Sequence, residues 1–219
     1  EYSTIEELID IAIENEIAVS EVVIRTEAEE SEKEKKEIVS RMKDTFEVMK
    51  EAVEEGKNKK EKSPSGLSGG DAFRLSEFND FLGNNIYRKV MIYAVATSEV
   101  NAAMGKIVAG PTAGSSGIVP AVLLAVGEEL EASDEEIVKS LFTASGLGMV
   151  VSKKATLAGA AGGCQAECGV GSAMAAGAAV ELAGGSPEMV GHAFALALKN
   201  LLGLVCDPVA GLVEVPCVK

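Results

Sequence analysis

The sequence predicts an all-α protein: a Gly/Ala-rich helical domain carrying a charged N-terminal helical arm. Three observations carry that expectation. Apolar residues recur at helical spacing, most clearly at Ile38, Met42, Phe46, Met49 and Val53, which are 4, 4, 3 and 4 residues apart. Two segments bear the hydroxyl-x-x-acid signature of a helix start, Thr4-Ile5-Glu6-Glu7 and Ser133-Asp134-Glu135-Glu136. Alternating strand patterns are scarce, and valine-rich runs are short.

Taken in chain order, Thr4 opens a first helix with Ile5, Leu8, Ala12 and Ile13 on one face. A second helix is expected from about Ser20 to Glu55, with Gly56 as its C-terminal cap. The stretch NKKEKSPSG that follows reads as a linker or mobile loop. Gly69 and Gly70 precede a helix start at Asp71, another helix spans Asn85 to Met104, and Pro120 suits the first turn of the next. Ser133 caps a helix carrying Ile137, Leu141 and Phe142. Residues Ser172 to Leu182 are almost all small or apolar, as in a fully buried helix. Ser186-Pro187-Glu188 begins the last helix, which carries Met189, Ala193, Leu196 and Leu201.

At 219 residues and 47% apolar, the chain supports one sizeable core or a core domain with an appendage. With no Trp, three Tyr and six Phe, the interior must be aliphatic. Charge divides the chain: residues 1–62 hold 19 acids and 11 bases, and residues 63–219 hold 15 and 9. The first part reads as a solvated helical arm and the second as the domain that holds the core. A net charge of −14 argues against nucleic acid and against an anionic membrane surface as partners. Four Cys without a signal-peptide pattern argue against a secreted disulfide framework, so the chain reads as cytoplasmic. The long uncharged stretch from Ile107 to Gly127 is broken by Pro111, Pro120 and four glycines; it reads as a buried loop and a helix, and no membrane span is expected. A start at Glu1 and an end at Lys219 read as the boundaries of a processed or partial chain.

Chemistry concentrates in the last quarter. Cys164, Cys206 and Cys217 sit in GGCQAECG, LVCDPVAG and VPCVK, where the backbone can turn each sulfur toward a shared point. Three thiolates suit a soft metal centre, and three ligands on a four-iron cluster leave one iron open. The spacings of 42 and 11 residues are unlike the compact repeats of ferredoxins. A radical-type loop fails because Gly171 stands where a third Cys after Cys164 and Cys168 is needed. Zinc on four Cys and buried thiols without any ligand role both stay open at this level. The segment GPTAGSSG at 110–117 leads into a helix, and its N–H and hydroxyl groups can hold a carboxylate; a tight structural turn is the alternative. It lacks the Gly-Lys-Ser/Thr ending of a nucleotide loop. His192, the only histidine, reads as a core or cap residue of the last helix, and Glu167 as a hydrogen-bonding orienter near Cys164 or a cap.

Taken together, GPTAGSSGIVPAVL at 110–123, GCQAECGVGSAMAA at 163–176 and GLVCDPVAGLVEVPCVK at 203–219 resemble the alpha subunit of the iron–sulfur-dependent L-serine dehydratases, and SGLSGGDAFRL at 65–75 fits the start of that family's catalytic region. The resemblance implies a 4Fe–4S cluster on three cysteines, carried over to Cys164, Cys206 and Cys217. Cys168 falls where the family tolerates other residues. The implied reaction converts L-serine to pyruvate and ammonia, with the open iron as Lewis acid on the β-hydroxyl while a base removes the α-proton. Thr112, Gly114, Ser115 and Ser116 would then hold the substrate carboxylate or amine. The family's Ser-Ser-His-Thr type motif, carried by a beta subunit when the enzyme is split, is absent here, so the base is expected from a partner chain. Family alpha chains also continue beyond the PCVK segment. Two other classes remain beside this one: a cluster-dependent hydro-lyase acting on a hydroxy acid, and a non-catalytic helical module with structural cysteines or zinc.

Overall fold

Helices account for every element the sequence leads one to expect. The computed structural model describes residues 1–78, 85–204, 208, 209 and 211–218, and its only β feature among them is an isolated bridge between Val209 and Leu212. Helix α1 (Ile5–Glu14) starts at the predicted capping box: the Glu7 N–H donates to Thr4 Oγ1 at 3.1 Å, and the Thr4 N–H donates to Glu7 Oε2 at 3.2 Å. Its buried stripe runs through Leu8, Ile9 and Ala12 beside the partly buried Ile5. Ile13, expected on that face, is exposed, because its helical angle puts it at the edge of the stripe.

The single long helix expected from Ser20 to Glu55 is two helices, α2 (Val19–Ser31) and α3 (Lys35–Asn58). The break falls at Glu32, which is left-handed at φ 55°. No apolar residue occurs between Glu29 and Glu37, so periodicity carries no signal across the turn. Within α3 the predicted stripe holds: Ile38, Phe46, Met49 and Val53 are buried and Met42 is partly so. Gly56 is not the cap. The helix runs on to Asn58, and a Cβ at Gly56 would stand 2.2 Å from the Ala96 carbonyl oxygen of α5 (Ile86–Ala102). Gly56 is where two helix backbones touch.

The stretch read as linker or mobile loop is anchored by its serines. Ser63 and Ser68 are buried, and the Ser63 N–H donates to the Ser68 carbonyl at 3.0 Å. Gly69 follows at φ 114°, with Glu61 O only 2.3 Å from where a Cβ would be, so glycine is required twice over. Helix α4 (Asp71–Glu77) begins as expected. Its first N–H groups are met by the buried Glu99 of α5, at 2.8 Å from Asp71 and 3.3 Å from Ala72. Burial pushes the Glu99 carboxyl up, and the backbone N–H groups of Ala72, Gly70 and Gly69 work against that rise.

Helix α6 (Ile118–Glu129) carries Pro120 in its first turn, and α7 (Asp134–Lys154) starts at the Ser133/Glu136 capping box. Helix α8 (Gly159–Cys164) leads through a π turn at Gln165–Gly169 into α9 (Val170–Leu182). Small residues let α9 press closely on its neighbours: a Cβ at Gly177 would stand 2.4 Å from the Leu147 side chain of α7. Helix α10 (Pro187–Asn200) buries Val190 and Phe194, whereas Met189 and Leu196 are 58% and 66% exposed. It is followed by a short helix, α11 (Glu214–Val218). Leu8, Val19 and Phe46 share one apolar core with Leu123, Leu147 and Val190. No helix among the described residues is long and apolar enough to cross a membrane.

Candidate active site

The cysteine-bearing segments meet the 110–117 loop at a cavity of about 490 Å³, whose lining includes Gly114, Gly159, Glu167, Glu214 and Cys217. Gly163 takes φ 69°, and the left-handed turn sends the chain from α8 into the π turn with Cys164 at the junction. The wider turn brings Cys168 near Cys164. Burial pushes the Cys168 thiol up to about 11, and the nearby Cys164, Cys217 and Glu167 add to the rise. Cys164, Cys217 and Glu167 thus lie in the surroundings of Cys168. Cys206 lies outside the described residues. Among the described residues, no three His, Cys, Asp or Glu side chains form a group placed to hold a metal ion.

Cys217 reaches this point from α11. Its Sγ is 3.4 Å from where a Cβ on Gly114 would lie, and Glu167 Oε2 is 3.1 Å from the same place. Glu167 is held as an orienter would be, with Thr112 Oγ1 donating to its Oε1 at 2.6 Å. Gly114 faces the cavity, whereas Ser115 and Ser116 point into the protein and are each 1% exposed. Ser115 Oγ donates to Gly110 O at 3.1 Å and Thr112 O at 3.3 Å, which ties the loop to itself across the cis Gly110–Pro111 bond. The Ser116 hydroxyl is buried and has no hydrogen-bond partner among the described residues. His192 is exposed on α10 and is neither the core nor the cap residue expected, because the inward stripe of that helix runs through Val190 and Phe194.

A second constellation went unread in the sequence. The hydroxyls of Ser63, Ser65 and Ser68 all donate to the Glu214 carboxylate at the start of α11. These bonds, in the order Ser63, Ser65, Ser68, hold the Glu214 carboxyl at about 2. Three serines within six residues were the available signal; their shared acceptor lies about 150 positions away.

Residues 14–219 match the serine dehydratase alpha chain family. The chain belongs to that family. It is 50% identical over 221 residues to the probable L-serine dehydratase, alpha chain, of Bacillus subtilis (strain 168), an alignment covering 100% of this chain and 73% of that protein. It is 42% identical over 223 residues to the L-serine dehydratase, alpha chain, of Peptoniphilus asaccharolyticus, covering 98% of this chain and 75% of that one. L-serine dehydratase 1 of Escherichia coli (strain K12) is 43% identical over 150 residues, which are 67% of this chain and 33% of that protein. In this alpha-chain family member, the cavity therefore sits inside the matched region, with the loop at 110–117, the π turn and α11 all contributing to it.

Proposed function

We propose that this chain is the alpha subunit of a cytoplasmic L-serine dehydratase, which converts L-serine to pyruvate and ammonia together with a beta subunit. The carrying observation is the match to alpha chains of that name along almost the whole chain. Cys164, Cys206 and Cys217 are the proposed ligands of a 4Fe–4S cluster. The donor chemistry fits: Cys217 presents soft sulfur to the cavity, Cys164 lies near Cys168 at the π turn, and Cys206 falls between α10 and α11 in sequence. When bound, a cluster with one open iron supplies a Lewis acid for a hydroxyl leaving group.

The chain's own residues bind and orient. The 112–116 loop is the proposed substrate loop: Gly114 gives it a surface without a side chain at the cavity, and Thr112 fixes Glu167. Ser115 and Ser116 act from within it, with the Ser115 hydroxyl keeping the turn closed. Met104, Leu212, Val213 and Val218 give the cavity an apolar lining. The proton acceptor is assigned to the beta subunit, since His192 stands exposed on α10 and the described lining carries no histidine or lysine. Anaerobic purification with a candidate beta chain tests the proposal. Iron and sulfide in the protein and pyruvate from L-serine are the expected result, with iron lost in Cys206→Ser. A colourless, iron-free anaerobic preparation that turns over no serine would refute it.

A further inference from the structure

We infer that Glu167 is the counter-ion for the α-ammonium group of the substrate, an assignment that rests on the serine reading above. The described lining of the cavity holds two carboxylates, Glu167 and Glu214, and no cationic side chain. Glu214 is already committed, since three serine hydroxyls donate to it. Among the described residues, Glu167 is held by a hydrogen bond on one side. Its Oε1 accepts the Thr112 hydroxyl at 2.6 Å, and among the described residues no Lys, Arg or His pairs with it.

The other oxygen is flanked by two glycines. A Cβ at Gly159 would stand 2.2 Å from Oε2, and one at Gly114 would stand 3.1 Å from it. Both positions lack the side chain that would displace the carboxylate, which stays at the cavity shared with Cys217. A half-buried carboxylate fixed beside two thiols favours a cation over a neutral or anionic group. An amino acid brings that cation in its ammonium group. A hydroxy acid offers only a neutral hydroxyl there, so Glu167 also selects against the hydroxy-acid substrates considered earlier.

The test uses the anaerobic enzyme assembled with its beta chain. Glu167→Gln keeps the shape and removes the charge. KM for L-serine should rise about tenfold or more, with a smaller change in kcat. Inhibition by glycerate, which carries a hydroxyl in place of the ammonium, should be unchanged or stronger. Iron content and the visible spectrum should match the parent. Gly159→Ala, which pushes the carboxylate aside without discharging it, should raise the serine KM in the same direction and decides the matter if Glu167→Gln loses iron. An unchanged serine KM, an equal shift for serine and glycerate, or loss of iron in both variants would overturn the assignment. Failure of the parent enzyme to release pyruvate from serine is a separate result and would overturn the functional reading itself.

Discussion

Phe46 in α3 and Cys217 in α11 show two ways in which this chain fixes a side chain. Phe46 is 1% exposed and packs in an aliphatic core with Leu8, Val19, Leu123 and Leu147, drawn from helices far apart in sequence. Its position is over-determined by area. Cys217 belongs to a five-residue helix preceded by Leu212 and Val213, which are 46% and 49% exposed. It is placed by single groups: the Glu214 carboxylate three residues earlier, the serines that hold it, and the bare Cα of Gly114. Apolar packing is non-directional and tolerates exchange among similar shapes, whereas a hydrogen-bonded clamp is directional and fails when one partner changes. The two regions should therefore respond to substitution in opposite ways.

The largest expected effect is on the packed side. Phe46→Ala removes a fully buried ring and should cost about 3–5 kcal/mol, read as a fall in the denaturant midpoint. Reactivity of Cys217 under native conditions should stay at the parent rate, and a marked rise would mean that the two regions are coupled. Gly56→Ala comes next. Helix propensity alone predicts a gain of about 1 kcal/mol. The added Cβ would instead meet the Ala96 backbone at 2.2 Å, and backbone cannot swing aside as a side chain end can. A net loss of about 1–3 kcal/mol is expected. A stabilised variant would show that α3 and α5 can separate freely.

This contrast also explains what could be read from the sequence. Periodicity reports burial, so the stripe at Ile38, Phe46, Met49 and Val53 and the capping boxes at Thr4 and Ser133 were legible in advance. It failed where composition removed the signal, at the charged turn around Glu32, and where Gly, a cap by local rule, served a long-range contact at Gly56. At the site, sequence motifs pointed to Cys164, Cys217 and the 112–116 loop, and left Glu167 as an orienter or a cap. They could not say which hydroxyls face inward, because Ser115 and Ser116 are buried by the fold of the loop and not by any pattern around them. Cys168 was set aside on sequence grounds, yet the π turn puts it next to Cys164. The serine clamp on Glu214 joins segments about 150 residues apart, a separation at which no local rule operates.

The smallest effect on global stability, and the most specific, is expected from Glu214→Gln. An amide retains one carbonyl acceptor where the carboxylate offers two oxygens, so the three hydroxyls of Ser63, Ser65 and Ser68 can no longer all donate to it. The start of α11 should loosen while the core is untouched. In metal-free protein, Cys217 should then react several-fold faster with a disulfide reagent that works at acid pH, such as dithiodipyridine, with the labelled position mapped by mass. The denaturant midpoint should move little. The pH dependence gives the sign. Glu214 is depressed from 4.5 to about 2 in the folded chain, so the clamp is fully present above pH 4.5 and is lost as pH falls toward 2. The ratio of variant to parent labelling rates should accordingly be largest at neutral pH and approach one across that acid window. A ratio near one at pH 7 would mean that the serines do not place Cys217. A ratio that persists unchanged to pH 2 would mean that the charge on Glu214 is not what they hold.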